Sequence, residues 1–495
     1  ILTYFKTFKK HVLNAGFIYN LRETNHDQTD VYALGFPNAN MDHISMGAGF
    51  KEGDKPGGAY DVTRLVGFVG NLGYTYDERF LLDFSVRSDG SSLYGSNNRW
   101  GTFWSLGLGY NLHHEKFMER LTFINLLKIR GSIGTTGGQN FNPYQSMAMY
   151  SYNDDRISSI SYSGYIGAIL KAFGNKNLRW QKVEKQNVGL DFELFDRRLT
   201  GSFNVYNDIS KDVLIDVTLA PSLGFSSYKE NLGEVKNSGV ELTLKGTVIR
   251  DREREIYWDI MYNLAHNKNK VTKINQALTA FNDKQDAEVK NKPVIRYKEG
   301  LSQNTIWANE SLGIDPATGE EIFLDMNGNK VNEWDAANYK PFGSTDPKIY
   351  GTIGTMFTYK KWELNAHLYY QYGGYIYNST LVDKVENVNP NENGDKRILY
   401  DRWNKEGDVA KFKKVSDVSV TNPTSRFIEK ENYIQLQSLS IGYDFSCDKL
   451  REIGIQRLKL SAIGNDIFTS STVKMERGTS YPFARTFSLS AQLTF

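Results

Sequence analysis

The chain has 495 residues, 40% hydrophobic and 23% charged, a balance that excludes a soluble disordered polypeptide. The formal net charge of +2 gives no strongly basic surface for nucleic acid, and the single cysteine, Cys447, excludes an intramolecular disulfide. No run of about 18 or more apolar residues is present, so no transmembrane helix is predicted. Aromatic residues make up 13% of the chain, which is typical of strands and of lipid interfaces.

Apolar and polar residues alternate along most of the chain, which is the period of β-strands with two different faces. In Trp362–Tyr372, for example, Leu364 and Leu368 fall on the apolar face, whereas His367 falls on the polar face. In chain order the predicted strands are Ile1–Phe8, Val12–Thr24, Leu65–Tyr76, Phe80–Gly90, Gly101–Leu112, Leu126–Thr136, Glu184–Phe195, Leu199–Leu214, Ser238–Ile249, Ile256–Lys270, Pro347–Tyr359, Trp362–Tyr372, Tyr433–Ser446, Arg457–Phe468 and Arg485–Phe495.

The connections between these strands are of two kinds. Short charged turns are predicted at residues 9–11, 77–79, 196–198 and 360–361, and long polar loops at residues 25–61, 137–182, 273–346 and 373–432. A soluble sandwich gives the same alternation, but compact domains seldom contain structureless loops longer than about 15 residues. Short turns at one rim and long loops at the other are typical of an outer-membrane barrel. The sequence therefore predicts an all-β fold, a large antiparallel transmembrane β-barrel.

The first and last predicted strands run in the same direction, toward the rim with short turns. An antiparallel barrel closes only when its end strands run in opposite directions, and an open edge in hydrocarbon leaves backbone groups unpaired. We therefore expect further N-terminal strands to complete the barrel. Ile1–Phe8 shows no secretory signal and resembles the middle of a longer protein.

Several segments resemble one family of outer-membrane proteins, and they occur in family order from about residue 64 to the C-terminus. They are GFVGNLGYTYDERFLLDFSVRSDGSS at Gly67–Ser92 followed by NRWG at Asn98–Gly101, LKIRGSIGTTGGQ at Leu127–Gln139, NLRW at Asn177–Trp180, NVGLDF at Asn187–Phe192, NLGEVKNSGVE at Asn231–Glu241, GIDPATG at Gly313–Gly319 and GNDIF at Gly464–Phe468. Together these motifs resemble the SusC/RagA type of TonB-linked outer-membrane protein.

The resemblance implies a barrel of 22 strands, of which this chain supplies the C-terminal two-thirds, about 15. The first strands, the plug domain and the TonB-binding segment are not found in residues 1–495. The resemblance further implies import of glycans or peptides across a Bacteroidetes-type Gram-negative outer membrane, with the long loops extracellular. The implied partners are a SusD-like surface lipoprotein, TonB acting through the missing N-terminal part, and the membrane's lipid and lipopolysaccharide. The alternative is a SusC-like scaffold in a larger envelope complex, without transport.

Charged residues on the polar faces of the strands are the candidate functional residues. They could line a substrate path or hold a plug, although a wide water-filled lumen also tolerates such charges without a specific role. The candidates are Asp83, Arg87, Asp191, Glu193, Asp259 and His367. The final residue, Phe495, ends an alternating strand and resembles the signal that the barrel-assembly machinery recognises.

Other candidate sites are weaker. The stretch Asp325–Asn329 has its glycine in the wrong place for an EF-hand, so an Asn-Gly turn is the better interpretation. His113 and His114 are predicted in a periplasmic turn; adjacent histidines in a strand would point apart, and Glu115 is the one close carboxylate, so a metal site is not favoured. Cys447 lies near a strand end. The loop aromatics Trp307, Trp334, Tyr339 and Trp403 could stack on sugars or pack the loops together. Nucleotide-binding, serine-hydrolase and zinc-protease motifs are absent from the sequence, so we predict no enzyme, no metal and no cofactor.

Overall fold

The computed structural model describes residues 1–50, 57–138, 142–151, 168–218, 227–231, 233–274, 276–287, 292–389, 391, 394–417, 419–445, 447–474 and 485–495. In this part of the chain fifteen strands form one antiparallel sheet, and each strand pairs with its neighbours in chain order. The strands are β1 (Leu2–Phe8), β2 (His11–Asp30), β3 (Gly57–Tyr76), β4 (Phe80–Ser91), β5 (Trp100–Asn111), β6 (Ile124–Gly138), β7 (Gln181–Leu194), β8 (Leu199–Lys211), β9 (Glu234–Asp251), β10 (Ile256–Lys273), β11 (Ile349–Tyr359), β12 (Trp362–Tyr377), β13 (Ile428–Asp444), β14 (Arg457–Ser471) and β15 (Thr486–Thr494). All fifteen predicted strands are confirmed.

The predicted strand ends differ from the observed ones where the chain leaves the alternating pattern. β2 and β3 stay paired as far as Asp30 and Gly57, beyond the predicted end at Thr24. The predicted strand Leu199–Leu214 is wrong at its end, because β8 stops at Lys211 and Leu214–Thr218 pairs instead within a loop hairpin. Backbone pairing continues through polar residues, so alternation of side chains cannot locate these ends.

The predicted short turns are confirmed at one rim of the sheet. Asp77 and Glu78 both have positive φ, at 53° and 57°, which is the backbone twist that suits a tight hairpin. The Asp77 carboxylate accepts hydrogen bonds from Lys10 at 3.0 Å and from Arg79 at 2.5 Å. The ion pair between Lys10 and Asp77 therefore links the β1–β2 turn to the β3–β4 turn at this rim.

The described part of the long polar loops contains secondary structure of its own, which the sequence analysis did not predict. Helix α1 (Gln276–Ala287) and a four-stranded sheet lie between β10 and β11. The loop strands are Ala33–Leu34, Gly49–Phe50, Met149–Ser151, Ile169–Ala172, Leu214–Thr218, Ser227–Asn231, Thr305–Ile314, Glu321–Leu324, Lys330–Val331 and Tyr339–Ser344. The short helical segments are Ile44–Met46, Leu112–His114, Ala336–Asn338, Ser379–Leu381, Val382–Glu386, Lys396–Leu399, Ser425–Phe427 and Asp448–Glu452.

The apolar face of the fifteen-stranded sheet is exposed. Phe487 and Leu489 on β15 are 73% and 91% exposed, and Phe203 and Ile353 in central strands are also exposed. The buried hydrophobic clusters lie instead among the loops and at the loop ends of the strands, around Leu93–Trp180, Trp307–Tyr339 and Val382–Phe427. None of the helices in the described residues is long and apolar enough to span a membrane. The apolar face thus has the surface expected of a wall in contact with lipid.

Candidate functional site: the polar face and the loop cleft

All six polar candidates lie on the face of the sheet opposite the exposed apolar face. Asp83 on β4 pairs in register with Gly73 and Gly107, and His367 on β12 pairs with Gly354 and Ser438. Residues that pair directly in register point to the same side of a sheet. The face is therefore built from charged, hydroxyl and glycine residues, which we call the polar face. The six candidates are spread over four strands and do not form one cluster.

Arg130, which the sequence analysis did not select as a candidate, forms hydrogen bonds to three residues on the polar face. The Arg130 guanidinium on β6 donates to Asp191 at 3.0 Å, to Asn187 at 3.3 Å and to Asn204 at 2.5 Å. Arg130 and Asp191 are both partly exposed, so water screens this ion pair and the pair contributes little stability. The alternation of β6 already placed Arg130 on this face, so the signal was present in the sequence.

Three of the other candidates also have charged or hydroxyl partners. Asp259 accepts from Thr247 at 2.7 Å and lies 3.2 Å from Lys245. Glu193 accepts from Arg197 at 2.9 Å near the rim with short turns. Arg87 donates to Asp89 at 2.5 Å. These contacts balance charge across the polar face, and among the described residues no group of three or more His, Cys, Asp or Glu side chains is arranged to hold a metal ion.

Aromatic residues hold together the loop between β10 and β11. Trp307 and Tyr339 are buried, and the Arg296 guanidinium lies 5.1 Å from the Trp307 ring centre and 5.5 Å from that of Tyr339. Burial raises the pKa of Tyr339 to about 12. Trp307 Nε1 donates to the backbone carbonyl of Arg296 at 3.2 Å. Of the two roles considered for Trp307 and Tyr339, the structure therefore supports packing of the loop.

A buried ion-pair cluster joins this loop to the loop between β12 and β13. Arg426 donates to Glu321 at 2.8 and 2.6 Å and to Glu386 at 3.0 and 2.7 Å. The Arg426 and Glu321 side chains are each 10% exposed, and that of Glu386 is fully buried. Burial acts to lower the pKa of Arg426, but the hydrogen bonds and charges of both glutamates outweigh it and raise that pKa. We call Arg426, Glu321 and Glu386 the loop clamp.

A cleft of about 530 Å³ opens beside the loop clamp. Its wall combines charges, amides and aromatic rings, including Glu320, Lys413, Lys414, Asp417 and Trp334. Among the described residues, Asn422 Oδ1 and Thr424 Oγ1 in this wall are buried acceptors without a hydrogen-bond partner. Of the loop aromatics considered for ligand stacking, Trp334 lines this cleft.

The remaining candidates lie away from the cleft. Trp403 Nε1 donates to the Pro316 carbonyl at 2.9 Å, and its ring packs beside Gly319. The Asp325 carboxylate accepts from the Asn329 side chain at 2.9 Å and from backbone N–H groups, which lowers the pKa of Asp325. Those donors occupy the oxygens that calcium would need, so the segment is a turn. Cys447 is exposed just before the helix Asp448–Glu452.

The predicted turn at His113 and His114 is confirmed, since both lie in a 3-10 turn. Their ring centres are 4.2 Å apart, so the divergence that adjacent histidines show in a strand does not apply here. His113 Nδ1 lies 3.3 Å from the Leu127 carbonyl oxygen. Phe495 follows the last residue of β15 and is 77% exposed.

A single wide antiparallel sheet with an exposed apolar face, a charged opposite face, short turns at one rim and folded loops at the other defines a transmembrane β-barrel protein of the bacterial outer membrane. The family model described as TonB dependent receptor-like, beta-barrel matches residues 3–462. The chain belongs to this family of TonB-dependent receptors, and it is of the SusC/RagA type. The family consists of transporters and not of enzymes.

The chain is similar to individual members of the family. It is 26% identical to TonB-dependent receptor P3 of Formosa agariphila, over 100% of this chain and 52% of the relative. It is 30% identical to TonB-dependent receptor SusC of Bacteroides thetaiotaomicron, over 65% of this chain and 32% of the relative. The solved structure of the RagAB peptide transporter matches 100% of this chain and 54% of its own chain, with a TM-score of 0.82 and 23% identity. The chain thus spans about half the length, or less, of these relatives.

Proposed function

We propose that this chain forms the transport barrel of a TonB-dependent importer of glycans or peptides. The observation that supports this most directly is the pairing of a lipid-facing apolar wall with a charged polar face in one sheet. Such a sheet encloses a polar lumen when it closes, and Asp83, Arg87, Asp191, Glu193, Asp259 and His367 then line the substrate path.

The loop cleft supports a polar substrate. The cleft wall has side chains of both charges, amide groups and the ring of Trp334. Such a wall matches sugar hydroxyls or peptide backbones better than an apolar molecule. The related RagAB is a peptide transporter by name, and SusC is a TonB-dependent receptor. A SusD-like lipoprotein that covers the folded loops would enclose the substrate between itself and the barrel.

The two end strands support completion of the barrel by further strands. In the described residues β1 pairs with β2 alone, and β15 pairs with β14 alone. An unpaired strand edge in hydrocarbon costs several kcal/mol for each unsatisfied backbone group. We infer that strands outside residues 1–495 pair with both edges, and that a plug on the same polypeptide connects the barrel to TonB. The mass of the protein purified from the outer membrane measures how much chain accompanies this barrel.

Growth on defined nutrients tests the function. A strain that lacks this protein should fail to grow on one class of glycan or peptide, and the wild-type gene should restore growth. A strain that retains the protein but lacks TonB should show the same defect, since import needs energy from TonB. Normal growth of the deletion strain on every glycan and peptide, with copurification of several unrelated envelope proteins, would support a scaffold instead.

We also propose that Phe495 is part of the signal for insertion of the barrel. Its exposed ring at the end of β15 is available to an assembly factor. Deletion of Phe495 should lower the amount of protein in the outer membrane several-fold, while messenger RNA is unchanged. Replacement by Tyr, which keeps the ring, should restore most of it. An unchanged amount of protein after the deletion would contradict this role.

A further inference from the structure

One glycine interrupts the row of apolar side chains on the lipid-facing wall. In register across five strands the row runs Leu82, Leu108, Gly131, Val188 and Val205. Leu108 and Val188 are 56% and 61% exposed, although Val188 lies at the middle of its strand and Leu108 lies inside its own. The gap at Gly131 leaves the facing sides of both residues uncovered.

The gap opens into a groove along β6. One lobe of about 480 Å³ is lined by Phe80, Leu82, Tyr110 and Ile129, and a second lobe of about 380 Å³ by Leu106, Ile133 and Val205. Both lobes share Leu108, Gly131 and Val188. From Ile129 to Ile133 the strand advances roughly 13 Å, so the two lobes form one continuous groove at least that long.

The fold does not require a glycine at position 131. A Cβ built on Gly131 would come no closer than 3.9 Å to another atom, the Asn187 carbonyl oxygen. By contrast, a Cβ on Gly351, also on the apolar face, would come within 1.9 Å of the Asn263 carbonyl oxygen, so a side chain is excluded there. The groove is therefore space that a larger residue could fill without disturbing the sheet.

The surroundings of the groove point to one kind of occupant. It faces the hydrocarbon of the membrane, the lobe that contains Ile129 is lined almost entirely by apolar groups, and the guanidinium of the bordering Arg130 is held on the polar face by Asp191. In the lobe that contains Ile133, Asn207 Nδ2 donates to Gln186 Oε1 at 3.4 Å. Water in the lobe that contains Ile129 would find few hydrogen-bond partners, and an apolar chain gains from burial there. The lower lobe contains Tyr74 and Tyr110 and lies toward the periplasmic rim, where tyrosine is enriched beside lipid headgroups.

We propose that this groove binds one acyl chain of a phospholipid from the periplasmic leaflet. The groove is continuous with the lipid-facing wall on both sides. The surface that lines the groove is also much smaller in area than one side of a stable protein–protein interface, which covers about 800 Å². The proposal depends on the membrane location of the barrel and not on the proposed substrate.

Photo-crosslinking tests the groove in the complete protein, as purified from the outer membrane. The protein is reconstituted in phosphatidylethanolamine vesicles that contain a phosphatidylethanolamine with a photoreactive diazirine in its acyl chain. Labelled peptides should be enriched in β6 and β7, around Gly131 and Val188. Gly131→Leu should reduce that labelling roughly tenfold, the ratio expected when about two methylene groups lose their contacts.

Two further variants make the outcome specific. Gly246→Leu is the matched control, because Gly246 lies on the same face outside the groove and its Cβ would meet no atom within 4 Å. It should leave labelling of β6 and β7 unchanged. Leu108→Ala removes one wall of the groove, so it should also reduce labelling of β6 and β7. If Gly131→Leu fails to fold, Leu108→Ala tests the proposal in its place. Equal labelling in all variants, labelling spread evenly over the apolar face, or cross-links between two copies at Gly131 would overturn the proposal.

Discussion

Replacement of Arg426 by Met should release the two folded loops from each other. Arg426 is the cation that faces both Glu321 and Glu386, so its loss leaves two carboxylates in a nearly dry environment. Removing one partner of a buried ion pair typically costs about 3–5 kcal/mol. Hydrogen exchange of segments 378–386 and 421–427 should therefore accelerate on the order of a hundredfold or more, since each 1.4 kcal/mol is a factor of ten.

Two companion variants separate loss of the ion pair from general damage. Lys411→Ala breaks an exposed pair with Asp401 in the same loop, at 3.2 Å, and should change local stability by less than about 1 kcal/mol. Combining Arg426→Met with Glu321→Gln and Glu386→Gln removes the unpaired charges and should recover much of the lost protection. Slow exchange in the Arg426→Met single variant would show that the loops are held together by other contacts.

A cationic residue in the middle of β8 should be tolerated on one face of the sheet and not on the other. Phe203→Arg places a charge on the apolar face, between Leu190 and Leu242 in register. Near the centre of the bilayer such a substitution costs about 2–4 kcal/mol. Urea-induced unfolding of the complete protein in lipid vesicles should show a lower free energy of unfolding by that amount.

The adjacent residue provides the matched control. Ser202 points to the polar face, where its register partners are Asp191 and Thr243. Ser202→Arg should leave the free energy of unfolding nearly unchanged, because the cation reaches water and a carboxylate. Equal losses in the two variants would mean that the apolar face of β8 does not contact lipid.

The sequence predicted the fifteen strands well because each strand in a membrane wall must separate apolar from polar residues. Val188–Leu194 illustrates this, since its valine, leucine and phenylalanine side chains fall on the lipid face and Asp191 and Glu193 on the other. Strand ends beyond the membrane were predicted poorly. There both faces of β2 are polar and exposed from Asn25 to Asp30, so alternation stops while pairing with β3 continues to Asp30.

The folded loops could not be predicted from local pattern. The loop clamp joins Arg426 to residues 105 and 40 positions away, and nothing in the neighbouring sequence indicates either contact. Trp307 and Tyr339 could be noticed as loop aromatics, but only the folded chain shows that they pack together around Arg296. The polar-face residues are the intermediate case, because alternation predicts the face of Arg130 but not its partners.

The loop clamp has a consequence for how this protein can diversify. The segment between β10 and β11 and the segment between β12 and β13 each start and finish on neighbouring strands, so each resembles a detachable cassette. Yet Glu321 belongs to one cassette, whereas Glu386 and Arg426 belong to the other. A chimaera that receives one cassette from a homologue with a different residue at the clamp would inherit an unbalanced buried charge. The two cassettes are therefore expected to be exchanged, and to change in evolution, as a pair.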